Sequence, residues 1–309
     1  MTRQFLLLPP ATLWDDYASV IQKQFFQHAM VAVVLIGALC GVVGTYVVLR
    51  GFAFIGDALA HATFPGVAVA YLLGTNILGG ALAAGFITSA LIGFLSRHRR
   101  VSNDTAIGVL FAGAFALGVM IISRLRNYRK DLASLLFGNI LGVSRTDLII
   151  IALIGVVVLA TVFIFYQELL LSAFDPTYAA SLGYRTGLLD LLTLSLLTLT
   201  IVVGLQAVGN VLVVALVVTP SAAARLLTDR VPTMMALGAA IGAGSGLVGL
   251  FASYPTNLAP GATIVLVATL CFFLALLFSP RQGFITVRLL GRRRAVRPVG
   301  PIEHSASGT

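Results

Sequence analysis

Fifty consecutive positions, 231–280, carry no charged side chain, and neither does the run 191–224. A helix needs about 20 apolar residues to cross a bilayer, so each run is too long for one comfortable crossing. GLQAVGN at 204–210 is the natural break in one, and SYPTNLAPG at 253–261 in the other. These breaks predict spans near 188–204, 210–227, 233–251 and 261–279. Composition agrees: 59% of the 309 residues are hydrophobic and 10% charged, against roughly 25% charged in soluble domains. Mean hydropathy is +1.01. The expected fold class is all-α, a polytopic helical membrane protein.

Earlier spans are expected at about 28–50, 51–74, 77–96, 106–123 and 147–167. Nine spans result, or eight with residues 131–143 as a re-entrant segment. Gly37, Gly41 and Gly44 in the first span, and Gly238, Gly242, Gly246 and Gly249 near the end, mark faces for close helix approach. Residues 1–27, with Trp14 and Tyr17, read as an interfacial segment. The first apolar run is too long for a cleavable signal peptide. Residues 28–280 form one transmembrane domain, and 281–309 a basic tail.

The net charge is +9, from 20 Lys and Arg against 11 Asp and Glu. Most of the Arg flanks apolar spans, so the anionic membrane face is the expected partner and nucleic acid is not. RHRR at 97–100 and the Arg-rich tail read as cytoplasmic. RLRNYRK at 124–130 would then lie outside and break the rule unless the following piece is re-entrant. Cys40 and Cys271 both fall in apolar spans and read as packing residues, not a disulfide.

Within the second span, GFAFIGDALAHATFPGVAVAYLLG, stand Asp57 and His61. Their i, i+4 spacing puts both on one helix face. A carboxylate in hydrocarbon costs at least ~2.5 kcal/mol, and such residues mark functional sites by default. One reading is a hydrogen bond that fixes helix packing. The other is a metal or proton site. Two ligands do not complete a metal site, and a symmetric partner is the economical source of the rest. Counted from the span's start, Asp57 lies only about 8 Å in, nearer the cytoplasmic face than the middle. Pro65 is expected to kink the same span.

Two further features stand out. FDPTYAASLGYRTG at 174–187 has a turn at Asp175–Pro176 and a short helix-like run ending near Gly183; it reads as a connecting loop or a docking element. TPSAAARLL at 219–227 places Pro220 inside an apolar span, where it either kinks the helix or frees carbonyls along a cavity. No GxxxxGK[ST] phosphate loop occurs in the chain, nor HExxH or GxSxG, so an enzyme acting alone is not expected.

VLRGFAFIGDALAHATFPGVAVAYLLG, DLASLLFGNILGVSRTDL and FDPTYAASLGY…VGNVLVVALVVTPSAAARLL resemble, in order and spacing, the bacterial ATP-binding-cassette permeases for manganese, zinc and iron. The resemblance covers about residues 28–279. Ala60 stands where the family commonly has Ser. The resemblance implies a homodimeric permease in the bacterial inner membrane, with separate cytoplasmic ATPase subunits and an extracytoplasmic metal-binding protein. It implies that the segment with Asp175, Pro176, Tyr178 and Gly183 couples to the ATPase. It also implies that Asp57 and His61 of each protomer hold the metal in transit, an O2N2 set suited to manganese, zinc or iron. Pro65, Asn210 and Pro220 are the candidates for lining the path. No permanently bound cofactor is expected; the metal is cargo. The competing expectation is a secondary transporter or channel using Asp57 and His61 as a relay.

Overall fold

The computed structural model describes residues 20–52, 54–96, 102–123, 138, 140–256 and 258–279. Among these there is helix and no strand. The helices are α1 (Gln24–Leu49), α2 (Ile55–Ala62), α3 (Phe64–Leu72), α4 (Ile77–Leu95), α5 (Asn103–Ser123) and α6 (Arg145–Ile164). Then follow α7 (Tyr166–Phe174), α8 (Pro176–Ser181), α9 (Thr186–Val208), α10 (Asn210–Leu227), α11 (Val231–Thr256) and α12 (Pro260–Phe278). Eight of the twelve are long and apolar enough to cross a bilayer: α1, α4, α5, α6, α9, α10, α11 and α12.

The stretch expected as one second span is a pair, α2 and α3. Thr63 at the joint stays helical, at φ −75° and ψ −21°. The Val67 amide donates to the Thr63 carbonyl at 3.1 Å. Pro65 has no N–H for the His61 carbonyl and crowds it, which is the physical cause of the bend. Together α2 and α3 make a ninth pass. The 124–137 segment, which holds most of the expected re-entrant piece, lies outside the described residues, as do RHRR, residues 1–19 and the tail.

Two clusters define the ends of the bundle. At one end Arg50, Phe52, Ile55, Ser96, Pro176 and Asp190 surround a cavity. At the other, Gly138, Ile140, Val211, Leu212, Ala259 and Pro260 come together. His28 Nδ1 lies 3.3 Å from the Val143 carbonyl oxygen. The chain alternates between these ends, with the α2–α3 pair counted as one pass. Of the described Lys and Arg, Arg50, Arg185, Arg225 and Arg230 belong to the first, more basic end, and Lys23 and Arg145 to the other.

Burial ranks the helices. Two-thirds of the apolar windows of α1 and α9 are buried, against 17% for α6, so α1 and α9 form the centre. The glycines expected to pattern close packing pair with one another: Gly37 faces Gly242, and Gly41 faces Gly238, across the α1–α11 contact. A Cβ on Gly41 would overlap the Gly238 carbonyl group. Phe26 closes one end of this contact, edge-on to Phe251 at 5.4 Å. Cys40 is buried and free, and Cys271 is half-buried and free.

Span boundaries moved where local chemistry was misjudged. The first helix starts at Gln24 instead of 28. The break expected over 204–210 shrinks to Gly209, whose φ of +86° favours glycine. The break expected at 253 starts later, because α11 continues through Pro255 to Thr256.

Candidate metal site and coupling segment

The site is built from the end of α1 onward. Gly51, at φ +71°, reverses the chain there. The Phe52 amide donates to the Val47 carbonyl at 3.0 Å and the Gly51 amide to Val48 at 3.2 Å, the double bond of a Schellman cap. One turn later α2 begins. It carries Asp57 in its first turn and His61 in its last, and its other residues are mostly small, so neighbouring helices come close. Asp57 Oδ1 and His61 Nε2 stand 3.4 Å apart.

His61 sits in an aromatic nest. Phe64 stacks on it at 5.6 Å, and Phe111 and Phe115 meet it edge-on at 5.4 and 5.3 Å. Phe111 and Phe115 lie about 12 and 18 Å along α5 from Asn103 at 1.5 Å per residue. That is the middle of a hydrocarbon layer of about 30 Å. His61 thus reaches the centre, and Asp57, one turn earlier on α2, stands about 6 Å nearer the end that carries Arg50, in line with the count along the second span. The His61 side chain is 18% exposed and that of Asp57 49%. One carboxylate face therefore stays open to an ion, water or a second chain.

A third polar side chain completes the cluster. Asn210, 2% exposed, opens α10 directly after the Gly209 turn. Its Nδ2 lies 3.2 Å from His61 Nε2. Gly138 presses on the backbone of Val208 and Gly209 and so holds the turn in place. His61 Nδ1 and Asn210 Oδ1 are both buried without a hydrogen-bond partner among the described residues. No group of three His, Cys, Asp or Glu able to hold a metal occurs among the described residues.

Of the other candidates for the path, Pro65 makes the bend beside the site and packs with Gly118. Pro220 is buried inside α10, about 15 Å along the helix from Asn210. Next to it, the Ser221 hydroxyl donates to the Gly41 carbonyl at 3.0 Å. Pro220 therefore sits at the α1–α10 contact, and the structure does not bring it to Asp57 and His61.

The segment 174–187 forms a capped short helix. Asp175 Oδ1 accepts from the Tyr178 amide at 2.8 Å, and Pro176 takes the first helical position, where its missing N–H costs nothing. Gly183, at φ +88°, terminates the turn. The Tyr184 amide donates to Ala179 at 3.1 Å and the Gly183 amide to Ala180 at 3.0 Å. Ala179 is buried, while Phe174, Tyr178, Leu182 and Tyr184 are exposed. Helix α7 ahead of it was not foreseen, because the polar break masked its short apolar face.

The sequence also missed a buried clamp. Arg50 Nη1 donates to Asp190 Oδ1 at 2.6 Å, and Nη2 donates to Ser172 Oγ at 3.0 Å. Arg50 thereby ties α1 to α7 and α9, at the root of the short helix and five residues ahead of α2. A charged residue at each of two span ends was the available signal, but pairing them needs the fold.

This architecture defines a multi-pass helical membrane protein in which Asp57, His61 and Asn210 come together and a capped short helix carries exposed aromatic residues at the end marked by Arg50. The sequence profile of the ABC 3 transport family matches residues 22–279, and the chain belongs to that family. It is 45% identical over 277 residues to the manganese transport system membrane protein MntC of Halalkalibacterium halodurans, covering 90% of this chain and 95% of that one. The MntC of Listeria monocytogenes is 43% identical over 266 residues, 86% of this chain and 95% of the other. Among solved structures, PsaBC from Streptococcus pneumoniae in complex with Fab superposes at a TM-score of 0.79 with 34% identity, covering 92% of this chain and 99% of that one. Membership of an ATP-binding-cassette family removes the ground for the secondary-transporter or channel reading.

Proposed function

We propose that this chain is the membrane-spanning permease subunit of an ATP-driven importer of divalent transition metal, with manganese as the cargo. The observation that carries this is the Asp57–His61 pair, 3.4 Å apart within the helical bundle, in a chain whose relatives are named as manganese transport system membrane proteins. A carboxylate and an imidazole are ligands for such ions, and a divalent cation offsets the burial of the carboxylate. ATP hydrolysis belongs to a separate cytoplasmic subunit. An extracytoplasmic metal-binding protein delivers the ion. A second permease protomer, most simply a second copy of this chain, faces the open side of Asp57 with its own pair.

The basic end is the cytoplasmic one, with RHRR and the tail 281–309 on that side, the N-terminal segment 1–27 on the other and 28–280 as the permease domain. Asp175, Pro176, Tyr178 and Gly183 form the ATPase-docking element, whose exposed aromatics fit a groove on a partner protein. Pro65, Asn210 and Pro220 belong to the path or its walls. Bacteria with and without the gene are to be compared for cellular manganese, iron and zinc. Loss of manganese alone is the expected result; unchanged content of all three metals would overturn the assignment.

A further inference from the structure

We infer that Asn210 supplies a third metal donor, its amide oxygen, and that this oxygen biases the site toward manganese over zinc. The inference rests on Asp57 and His61 being the metal pair. Asn210 is 2% exposed and its Oδ1 is buried without a partner among the described residues. An unsatisfied buried acceptor costs about 1–3 kcal/mol. The same amide meets His61 Nε2 through its Nδ2, and His61 Nδ1 is likewise buried without a partner among the described residues.

The distances fit a shared ion. His61 Nε2 is 3.4 Å from Asp57 Oδ1 and 3.2 Å from the Asn210 amide. Two donors each about 2.1 Å from one cation stand ~3.0 Å apart at an octahedral angle and ~3.4 Å apart at a tetrahedral one. His61 Nε2 thus already lies at the spacing of a neighbouring ligand from each of the other two side chains. The amide nitrogen and oxygen exchange places by a half-turn of the side chain. A cation at Nε2 favours the oxygen facing it. The Gly209 turn and Gly138 packed on it hold the donor in position, so little ordering cost remains on binding.

The third donor alters selectivity. Imidazole nitrogen suits zinc, whereas carboxylate and carbonyl oxygens suit manganese, and at a site of fixed ligands zinc binds more tightly than manganese. Asp57, His61 and Asn210 give one nitrogen and two oxygens from a single chain. Without Asn210 the share of oxygen falls and manganese loses more than zinc.

The test is uptake of manganese and of zinc by the full permease–ATPase complex in proteoliposomes, with assembly followed separately. Asn210→Ala is expected to lower the manganese-to-zinc uptake ratio on the order of 10-fold. Asn210→Asp, which keeps an oxygen in the same place, is expected to hold the ratio at or above that of the parent. An unchanged ratio in assembled Asn210→Ala overturns the inference: equal loss of both metals would make Asn210 a residue that only orients His61, and no loss would make it a packing residue. If Asn210→Ala does not assemble, Asn210→Asp decides, and a fallen ratio there overturns it. His61→Ala tests the underlying pair independently: normal transport of both metals in that variant would remove the pair whatever Asn210 does.

Discussion

Helices α2–α3 and helices α7–α8 are alike in grammar and opposite in setting. Each is a pair of short helices with a proline just inside the second, at Pro65 and Pro176. In the first pair the imidazole is turned inward and the carboxylate beside it is half-exposed: His61 lies among three phenylalanines and touches a buried amide. At the second, Phe174 and Tyr178, with Tyr184 just after α8, are turned outward and exposed. Each pair places its side chains where burial energy alone would not. A buried polar cluster calls for an ion, and an exposed aromatic cluster calls for a partner surface. The Arg50 clamp to Ser172 and Asp190 ties the end of α1, just ahead of α2, to α7 and α9.

Separating the two regions by mutation sharpens the contrast. The largest effect is expected from Asp57→Ala: metal uptake falls to background while ATPase binding in a pull-down is unchanged. Loss of ATPase binding in that variant would merge the two regions into one. Ligation needs an unprotonated imidazole and carboxylate, so metal binding to the parent protein should also weaken as pH falls; pH-independent affinity would count against these ligands. Next, Tyr178→Ala with Leu182→Ala should weaken ATPase binding by about 30-fold, near 2 kcal/mol for the loss of an aromatic anchor, and leave metal binding alone. This pair is a cleaner probe than Gly183→Arg. Gly183 has open space around it but a φ of +88°, so a side chain there strains the cap as well as the docking face.

Arg50→Ala should lower the thermal stability of the purified permease by about 1–3 kcal/mol. Breaking a buried pair costs more than that, but the Asp190 side chain is 44% exposed and water screens it. Arg50→Lys should lose less. The smallest effect is expected at Asn76, which caps α4 by accepting from the Leu78 amide at 2.9 Å. Asn76→Ala should cost about 1 kcal/mol and spare both metal uptake and ATPase binding. A transport defect there would extend the functional region beyond the two pairs.

Much of this was legible before the fold. The charge-free runs set the all-helical membrane class and narrowed the passes to eight or nine, because lipid tolerates few alternatives. The Asp57–His61 pair stood out because ionisable residues in such runs are costly. The Asp175 cap and the Gly183 stop were readable because both use local backbone chemistry. What stayed hidden depends on contacts between distant segments. Gly41 gives no sign that Gly238 is its neighbour. Arg50 reads as a span-end charge until Asp190, 140 residues on, is found beside it. Asn210 reads as a candidate for lining the path, and only the fold of the α9–α10 turn brings it to His61. The aromatic surroundings of His61 were hidden for the same reason: they are set by where α5 lies.

Anomalous diffraction at the manganese edge, on crystals of the complete transporter soaked in manganese, tests the metal site most directly. The expected result is a peak about 2–2.3 Å from Asp57 Oδ1 and from His61 Nε2, against the aromatic face of α5. A fully occupied manganese peak elsewhere in the membrane-spanning part, with Asp57 and His61 unliganded, would contradict it.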